Sequence, residues 1–212
     1  MAELLKAYNR DGSVLKVGER KALLAEMRSV SEKTGDAPFS VDVVHVLLKD
    51  KVGNLLIVQR AQKPENPNMF DKTAGGHVAY PESHDESFLR ELGEELSVGA
   101  TISRTLEAYR RDLTETDLTK KAVVRKVAES FWHRSDRVLS EKEGGGTWLK
   151  RDNPHLYVGR YDGGVRFKDC EAKDIIRPSV DGLTRLMAEK PAEYTYDLKE
   201  LVRTRLREIM EA

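Results

Sequence analysis

Three glutamates occupy one turn of a predicted helix. Two of them, Glu94 and Glu95, follow Glu91 by three and four positions. On a helix, side chains at these spacings lie next to each other. A helix tolerates such a group on a solvated face, so an ordinary charged surface is one interpretation. Clustered carboxylate oxygens are also the ligands that hard divalent cations such as Mg²⁺ prefer. The spacing alone leaves both interpretations open.

The residues before this helix favour a metal site. Gly75 and Gly76 follow Thr73 and Ala74, in a predicted loop whose backbone can take conformations that other residues cannot. Its backbone carbonyls and amides can therefore come close to a cation. A cation held by carboxylates neutralises a diphosphate, activates water and stabilises the leaving phosphate. The pattern therefore indicates metal-dependent hydrolysis of a phosphate anhydride.

The same stretch resembles the Nudix box, Gly-x5-Glu-x7-Arg-Glu-(aliphatic)-x-Glu-Glu-x-Gly-(aliphatic). The matching residues are Gly76, Glu82, Arg90, Glu91, Leu92, Glu94, Glu95 and Val98. Six matched Gly, Arg and Glu positions arise by chance on the order of once in a million starting points. The departure is Ser97, where the family usually has a glycine that ends the helix in a left-handed turn. We interpret Gly99 as a partial substitute.

The resemblance implies a role for the acidic residues of the box. It makes Glu91, Glu94 and Glu95 both catalytic residues and metal ligands, with the backbone carbonyl of Gly75 as a further ligand. The implied cofactor is Mg²⁺, with Mn²⁺ as the alternative.

The resemblance also implies that Gly76, Glu82 and Arg90 support the box structurally. The glutamate and the arginine are expected to form an ion pair that holds the loop and the helix together.

A fourth acidic residue often assists in this family, at a position that varies among its members. The segment 167–175 offers Asp169, Glu171 and Asp174. We choose Glu171 as a further catalytic residue, because related sequences commonly carry a glutamate before a late strand. The alternative is a solvated loop acid.

Further stretches are similar to the Nudix branch related to isopentenyl diphosphate isomerase: AYNRDGSVLKVGER, VQRAQK, FDKTAGGHV and YTYDLKEL. The isomerase protonates carbon and needs a cysteine where this chain has Gly75, in a Cys-Gly-His pattern of which only His77 remains. It also needs additional metal-binding histidines earlier in the chain. We therefore expect a hydrolase of a small-molecule diphosphate, such as a nucleoside diphosphate derivative. An isomerase-like enzyme and a non-catalytic binding module are the alternatives.

The composition is that of a soluble globular chain. Of 212 residues, 39% are hydrophobic and 34% charged, which argues against a membrane protein and against wholesale disorder. The 36 basic residues equal the 36 acidic residues, so charge implies no nucleic acid polymer as partner. A single cysteine, Cys170, forms no internal disulfide, and with no signal peptide evident we expect a cytoplasmic protein.

The resemblance, together with the predicted strands and helices, implies an α/β fold, an α/β/α sandwich with a mixed central sheet. Residues 1–38 are expected to be an N-terminal extension of the same domain, and residues 39–212 the Nudix domain. Predicted strands cover residues 5–8, 40–49, 55–60, 121–132 and 156–161, and predicted helices cover residues 19–27, 83–96, 181–189 and 198–210. The strands 40–49 and 55–60 are expected to pair as a hairpin. We hypothesise that the extension contributes to a homodimer contact or to the substrate pocket.

The helix 83–96 has a sequence signature at its start and along one face. Ser83 and Glu86 match a capping box. The side chains expected to face the sheet are Phe88, Leu89, Leu92 and Leu96. Among the histidines, His45 is expected in the core, whereas His84, His133 and His155 are interpreted as surface positions.

Overall fold

The structure is a computed structural model that describes residues 2–168 and 171–211. Its strands are β1 (Leu4–Tyr8), β2 (Val14–Glu19), β3 (Ser40–Lys49), β4 (Ile57–Arg60), β5 (Phe70–Asp71), β6 (Ala74–His77), β7 (Gly99–Ile102), β8 (Lys121–Glu129), β9 (His133–Val138), β10 (Thr147–Arg160) and β11 (Ala172–Ile176). Its α-helices are α1 (Arg20–Thr34), α2 (His84–Leu96), α3 (Leu106–Glu115), α4 (Val180–Glu189), α5 (Tyr196–Thr204) and α6 (Leu206–Glu211). None of these described helices is long and apolar enough to cross a membrane.

A mixed sheet of eight strands forms the centre of the fold. Its order is β2-β1-β3-β10-β8-β7, with β6 also paired to β3 and β9 also paired to β10. The β3–β10 and β7–β8 pairs are parallel and the others antiparallel. Because β10 is fourteen residues long, it pairs with β9 through its first half and with β8 through its second.

Helices cover both faces of this sheet. On one face, Phe88, Leu92 and Leu96 of α2 pack on Val44 and Val46 of β3. Each such fully buried side chain contributes roughly 1.5–3 kcal/mol relative to an exposed one. Helices α4, α5 and α6 pack on the opposite face, in the same apolar cluster as Leu47 of β3 and Leu156 and Val158 of β10. The predicted α/β/α sandwich with a mixed central sheet is confirmed.

The N-terminal segment joins the sheet. Strand β1 pairs with β2 along its length, and its last residues, Ala7 and Tyr8, pair with the first residues of β3. Helix α1 follows and buries Leu23 and Met27 in a cluster with Phe39 and Trp148. The helix continues to Thr34, seven residues beyond the predicted end at Met27. The assignment of residues 1–38 as an extension of the same domain stays a proposal.

The predicted hairpin between residues 40–49 and 55–60 is wrong beyond its turn. The turn itself is tight, since the amide of Gly53 donates to the carbonyl of Asp50 at 3.0 Å. After a single bridge between Lys49 and Leu55, the two strands separate. Strand β4 pairs instead with β5 and β11 in a second, three-stranded sheet. A tight turn therefore does not guarantee an extended ladder.

Helix α2 begins as its sequence predicts, but one of its apolar residues faces solvent. The hydroxyl of Ser83 accepts a hydrogen bond from the amide of Glu86, and the Glu86 carboxylate accepts one from the amide of Ser83. The capping box is thus confirmed. Leu89 was expected to face the sheet, but it is 42% exposed. Ser87 is buried instead, and its hydroxyl donates a hydrogen bond to the Glu82 carboxylate.

Several elements differ from the sequence prediction or lie outside it. The predicted helix 198–210 is two helices, α5 and α6, separated at Arg205. Strands β7, β9 and β11 and helix α3 were not predicted. The predicted strand 121–132 ends at Glu129, since Trp132 takes a left-handed backbone conformation with φ of 56°.

Replacing Ser83 with alanine removes both side-chain bonds of this hydroxyl at the start of α2. We expect the free energy of unfolding to fall by about 1 kcal/mol, the usual value of such a cap. Urea denaturation measures this change. The control is Ser29→Ala, at an exposed position within α1, where alanine favours the helix. Equal stability of Ser83→Ala and wild type would contradict the assignment of the cap.

Candidate active site

The centre of the site is the contact between α2 and β6. Gly76 lies in β6, paired with Val44 of β3, and a Cβ atom placed on it would overlap the Glu91 carboxylate. Gly75 has the same restriction, because a Cβ there would meet the carbonyl oxygen of Val44 and the side chain of Lys72. The predicted loop with unusual backbone conformations is wrong here, since both glycines are in a strand and neither has a positive φ. Glycine is required at both positions because the surrounding atoms leave no space for a Cβ atom.

Arg90 ties the parts of the box together. Its Nε lies 3.1 Å from both carboxylate oxygens of Glu82. One terminal nitrogen donates to Glu91 at 2.8 Å and to Glu94 at 3.3 Å, and the other donates to the backbone carbonyl of His77 at 3.2 Å. The guanidinium therefore joins the segment before α2, the end of β6 and two box glutamates.

The three box glutamates differ in environment. Glu91 is largely buried, and this burial raises the pKa of its carboxyl, although the adjacent Arg90 acts in the opposite direction. The Glu94 side chain is 60% exposed. A carboxylate oxygen of Glu95 accepts a hydrogen bond from the amide of Gly75 at 3.4 Å. The helix spacing thus brings all three carboxylates to the end of β6.

Glu171 reaches the same region from a distant part of the chain. It directly precedes β11, and its Oε1 lies 2.9 Å from Nζ of Lys63. Together with Gly75 and Glu95, it lines a small cavity beside the box. Asp174, another acid considered, lies within β11 paired with Gln59. Asp169 and Cys170 lie outside the described residues.

Ser97 itself ends α2 in the left-handed conformation. Its φ is 60° and ψ is 33°, and its amide donates to the carbonyl of Gly93 at 3.1 Å. The hydroxyl also donates to the carbonyl of Arg166 at 3.1 Å. The prediction that Gly99 substitutes for the family's glycine is wrong, because Gly99 already begins β7.

A cavity of about 1380 Å³ opens beside β6. The N-terminal helix α1 forms part of its wall through Arg20, Lys21 and Arg28, and the other walls include Gly75 and Trp148. The lining side chains carry charges of both signs. The basic residues of the wall are Arg20, Lys21, Arg28, Arg60, Lys63, Lys72, Arg137 and Lys150, and the acidic ones are Glu3, Glu19, Glu32, Glu65, Asp71, Glu143 and Glu171. Several of these basic and acidic residues form ion pairs with each other, so the wall is of mixed charge.

The contacts among buried polar residues in and behind this wall were not predicted from the sequence. Nζ of Lys150 lies 2.8 Å from Nε2 of His77. Burial and the Lys150 ammonium lower the pKa of His77 well below its ordinary value. Burial alone would raise the pKa of Asp197, but Arg137 and Lys72 hold it below the ordinary range. The sequence signal for this group is Lys72 within FDKTAGGHV, a charged residue directly before the strand that contains Gly75 and Gly76.

Comparison with known proteins decides the family. The NUDIX domain family matches residues 38–155, which is more than half of the chain and includes β6 and all of α2. The chain belongs to the NUDIX domain family. No curated protein sequence matches it.

Several solved structures are similar to this Nudix protein, and the first of them shares its fold. DR0079 from Deinococcus radiodurans is 21% identical, with a TM-score of 0.65 over 95% of this chain and 98% of the other. A bifunctional NMN adenylyltransferase/ADP ribose pyrophosphatase from Francisella tularensis is 20% identical, with a TM-score of 0.49 over 89% of this chain and 49% of the other. The NUDIX domain of NrtR from Shewanella oneidensis, solved with ADP ribose, is 12% identical, with a TM-score of 0.49 over 91% and 99%.

Replacing Gly76 with alanine tests the close contact between β6 and α2. The added methyl group would displace the Glu91 carboxylate, and a displacement of about 1 Å in a catalytic group costs about a hundredfold in rate. We therefore expect kcat/KM to fall by about a hundredfold. Steady-state kinetics with any diphosphate that the wild-type protein hydrolyses measures this change.

The matched control is Gly93→Ala in α2, where a Cβ meets no atom within 4 Å. Alanine there favours the helix by up to about 1 kcal/mol, so stability should rise and activity should persist. Full activity of Gly76→Ala would contradict the proposed need for this close approach.

Proposed function

We propose that this Nudix protein is a Mg²⁺-dependent pyrophosphohydrolase that cleaves the diphosphate linkage of a nucleoside diphosphate derivative or a similar small molecule. The chain is an enzyme of the Nudix pyrophosphohydrolase class, and it retains every glutamate of the box. The observation that carries the proposal is the convergence of Glu91 on Gly76 and of Glu95 on Gly75, at a strand that borders a large cavity.

The donor groups suit a hard divalent cation. Glu91, Glu94 and Glu95 are proposed to hold Mg²⁺, or Mn²⁺ in its place, with the Gly75 carbonyl as a further ligand. The raised pKa of Glu91 fits this assignment, because a nearby cation would favour the charged form of a buried carboxylate. When bound, the metal would supply positive charge at the phosphate oxygens and activate a water molecule.

The protein's own side chains complete the proposed reaction. Lys21 on the cavity wall can contribute positive charge near the diphosphate while it binds, whereas Lys63 and Lys72 are paired with Glu171 and Asp71. Glu171 lines the same small cavity as Glu95, where a carboxylate can accept a proton from water. Glu82 and Arg90 are proposed to act only by positioning the box.

The space at Gly75 favours hydrolysis over isomerisation. An isomerase of the related branch needs a cysteine at this position, and even a Cβ atom there would meet the Val44 carbonyl at 2.5 Å. His77, the residue that remains of the isomerase pattern, is buried beside Lys150. We therefore propose that the chain shares ancestry with that branch but performs hydrolysis.

Helix α1 is proposed to belong to the substrate pocket. Lys21 and Leu24 lie on the part of this helix that lines the cavity, so residues before the family match contribute to its wall. This position supports the hypothesis that residues 1–38 contribute to the substrate pocket. Formation of a homodimer and a cytoplasmic location stay predictions.

Replacing Glu94 or Glu95 with glutamine keeps size and helix propensity but removes a charge from the proposed metal site. We expect activity to fall by at least about a hundredfold while the fold persists. The assay offers sugar nucleotides, dinucleotide polyphosphates, coenzymes, nucleoside triphosphates and prenyl diphosphates in Mg²⁺ and measures phosphate or nucleoside monophosphate release.

The control for these variants is Glu107→Gln in α3, an exposed glutamate outside the box. It should retain wild-type activity. Wild-type turnover in Glu94→Gln or Glu95→Gln would remove that residue from the proposed site.

Replacing Lys21 with glutamate reverses a charge on the cavity wall without disturbing the box. An anionic substrate should bind more weakly, so KM should rise by about tenfold while kcat stays within about twofold of wild type. Steady-state kinetics measures both constants. Lys33→Glu reverses a charge on the same helix away from the cavity and should leave KM unchanged. An equal effect of both variants would contradict a role for α1 in the pocket.

A further inference from the structure

A second group of metal-binding side chains lies on the α2 face of the sheet, away from the box. Asp42 comes from β3, His84 from the first position of α2 and His155 from β10. One donor atom from each residue lies within 4.8 Å of the other two. The two histidines were interpreted as surface positions, but only 12% of the His155 side chain is exposed.

We propose that Asp42, His84 and His155 form a second divalent metal site, one that takes Zn²⁺ or a similar transition metal. Two imidazole nitrogens and one carboxylate oxygen suit these borderline ions better than Mg²⁺. His84 begins α2, whereas the box glutamates occupy its last turns, so the two sites are separate. Three protein ligands leave a fourth position for water.

The carboxylate of Asp42 is held in place by two other elements. Its Oδ2 accepts a hydrogen bond from the hydroxyl of Tyr8 at 2.6 Å, and its Oδ1 accepts one from the amide of Asn153 at 3.0 Å. An ionised carboxylate offers about four lone-pair positions, so these bonds leave capacity for a cation. Contacts of this kind orient a ligand before metal binds.

Each of the two histidines has a buried nitrogen that lies near a carboxylate but beyond hydrogen-bond distance. Nε2 of His84 and Nδ1 of His155 are buried from solvent without a hydrogen-bond partner among residues 2–168 and 171–211. The His84 nitrogen lies 3.6 Å from Oδ2 of Asp42, and the His155 nitrogen lies 3.6 Å from Oε2 of Glu129. Buried polar atoms without partners are uncommon in folded proteins, and a ligand would resolve this arrangement.

Metal binding requires one local adjustment. The rings of His84 and His155 are stacked, with centroids 3.5 Å apart and planes at 29°, so their lone pairs do not yet converge. His84 can rotate, because its side chain is 36% exposed. The bound ion would then connect β3, β10 and the start of α2, which fixes the helix that carries the box.

The test measures Zn²⁺ binding to the full chain by calorimetry, with Mg²⁺ in excess to occupy the box. We expect one Zn²⁺ per chain, and His84→Gln or His155→Gln should weaken binding by at least about tenfold. Co²⁺ in place of Zn²⁺ should give visible absorption bands of a site with nitrogen ligands, which the same variants lose. Circular dichroism verifies that each variant is folded.

Two controls separate this site from other metal ligands. His133→Gln removes a histidine outside the cluster, and Glu94→Gln alters the box, so both should retain Zn²⁺ binding. The proposal is overturned by absence of Zn²⁺ binding, or by binding that Glu94→Gln weakens while His84→Gln and His155→Gln do not. Neither result depends on whether the chain hydrolyses diphosphates.

Discussion

The close approach of α2 to β6 is the constraint on which the proposed site depends. At Gly76 the Glu91 carboxylate occupies the space that any side chain would need. This approach is possible because Phe88, Leu92 and Leu96 pack directly on β3, the neighbour of β6 in the sheet. Apolar burial on one side of α2 thus brings the carboxylates next to the strand end where the proposed cation would bind.

The same approach creates an electrostatic problem that Arg90 partly resolves. Carboxylates within one helical turn repel each other, and burial makes ionisation of Glu91 less favourable. The Arg90 guanidinium lies 2.8 Å from Glu91 and 3.3 Å from Glu94, and it also contacts Glu82. The single positive charge of this guanidinium cannot balance three carboxylates, so the site favours an additional positive charge. The proposed metal would provide it.

The sequence predicted elements whose signals are local. Helix α2 and its cap at Ser83 were identified because capping and helical periodicity act over a few residues. Strand β10 was recognised only in its last part, because buried Lys150 and Asp152 pair with each other at 2.7 Å and interrupt the apolar pattern. A contribution of residues 1–38 to a pocket was one of two hypotheses, but the side chains of α1 that line the cavity could not be predicted, since they depend on how distant elements pack. The proximity of His84 to His155 could not be predicted for the same reason.

The central claim is that the chain attacks phosphorus with water and leaves carbon untouched. The most direct measurement incubates it with Mg²⁺ and the diphosphate panel, including isopentenyl diphosphate, in ¹⁸O-labelled deuterated water. We expect ¹⁸O in a phosphate product of at least one compound, with no deuterium bound to carbon of isopentenyl diphosphate. Deuterium in that compound with every diphosphate linkage intact would contradict it.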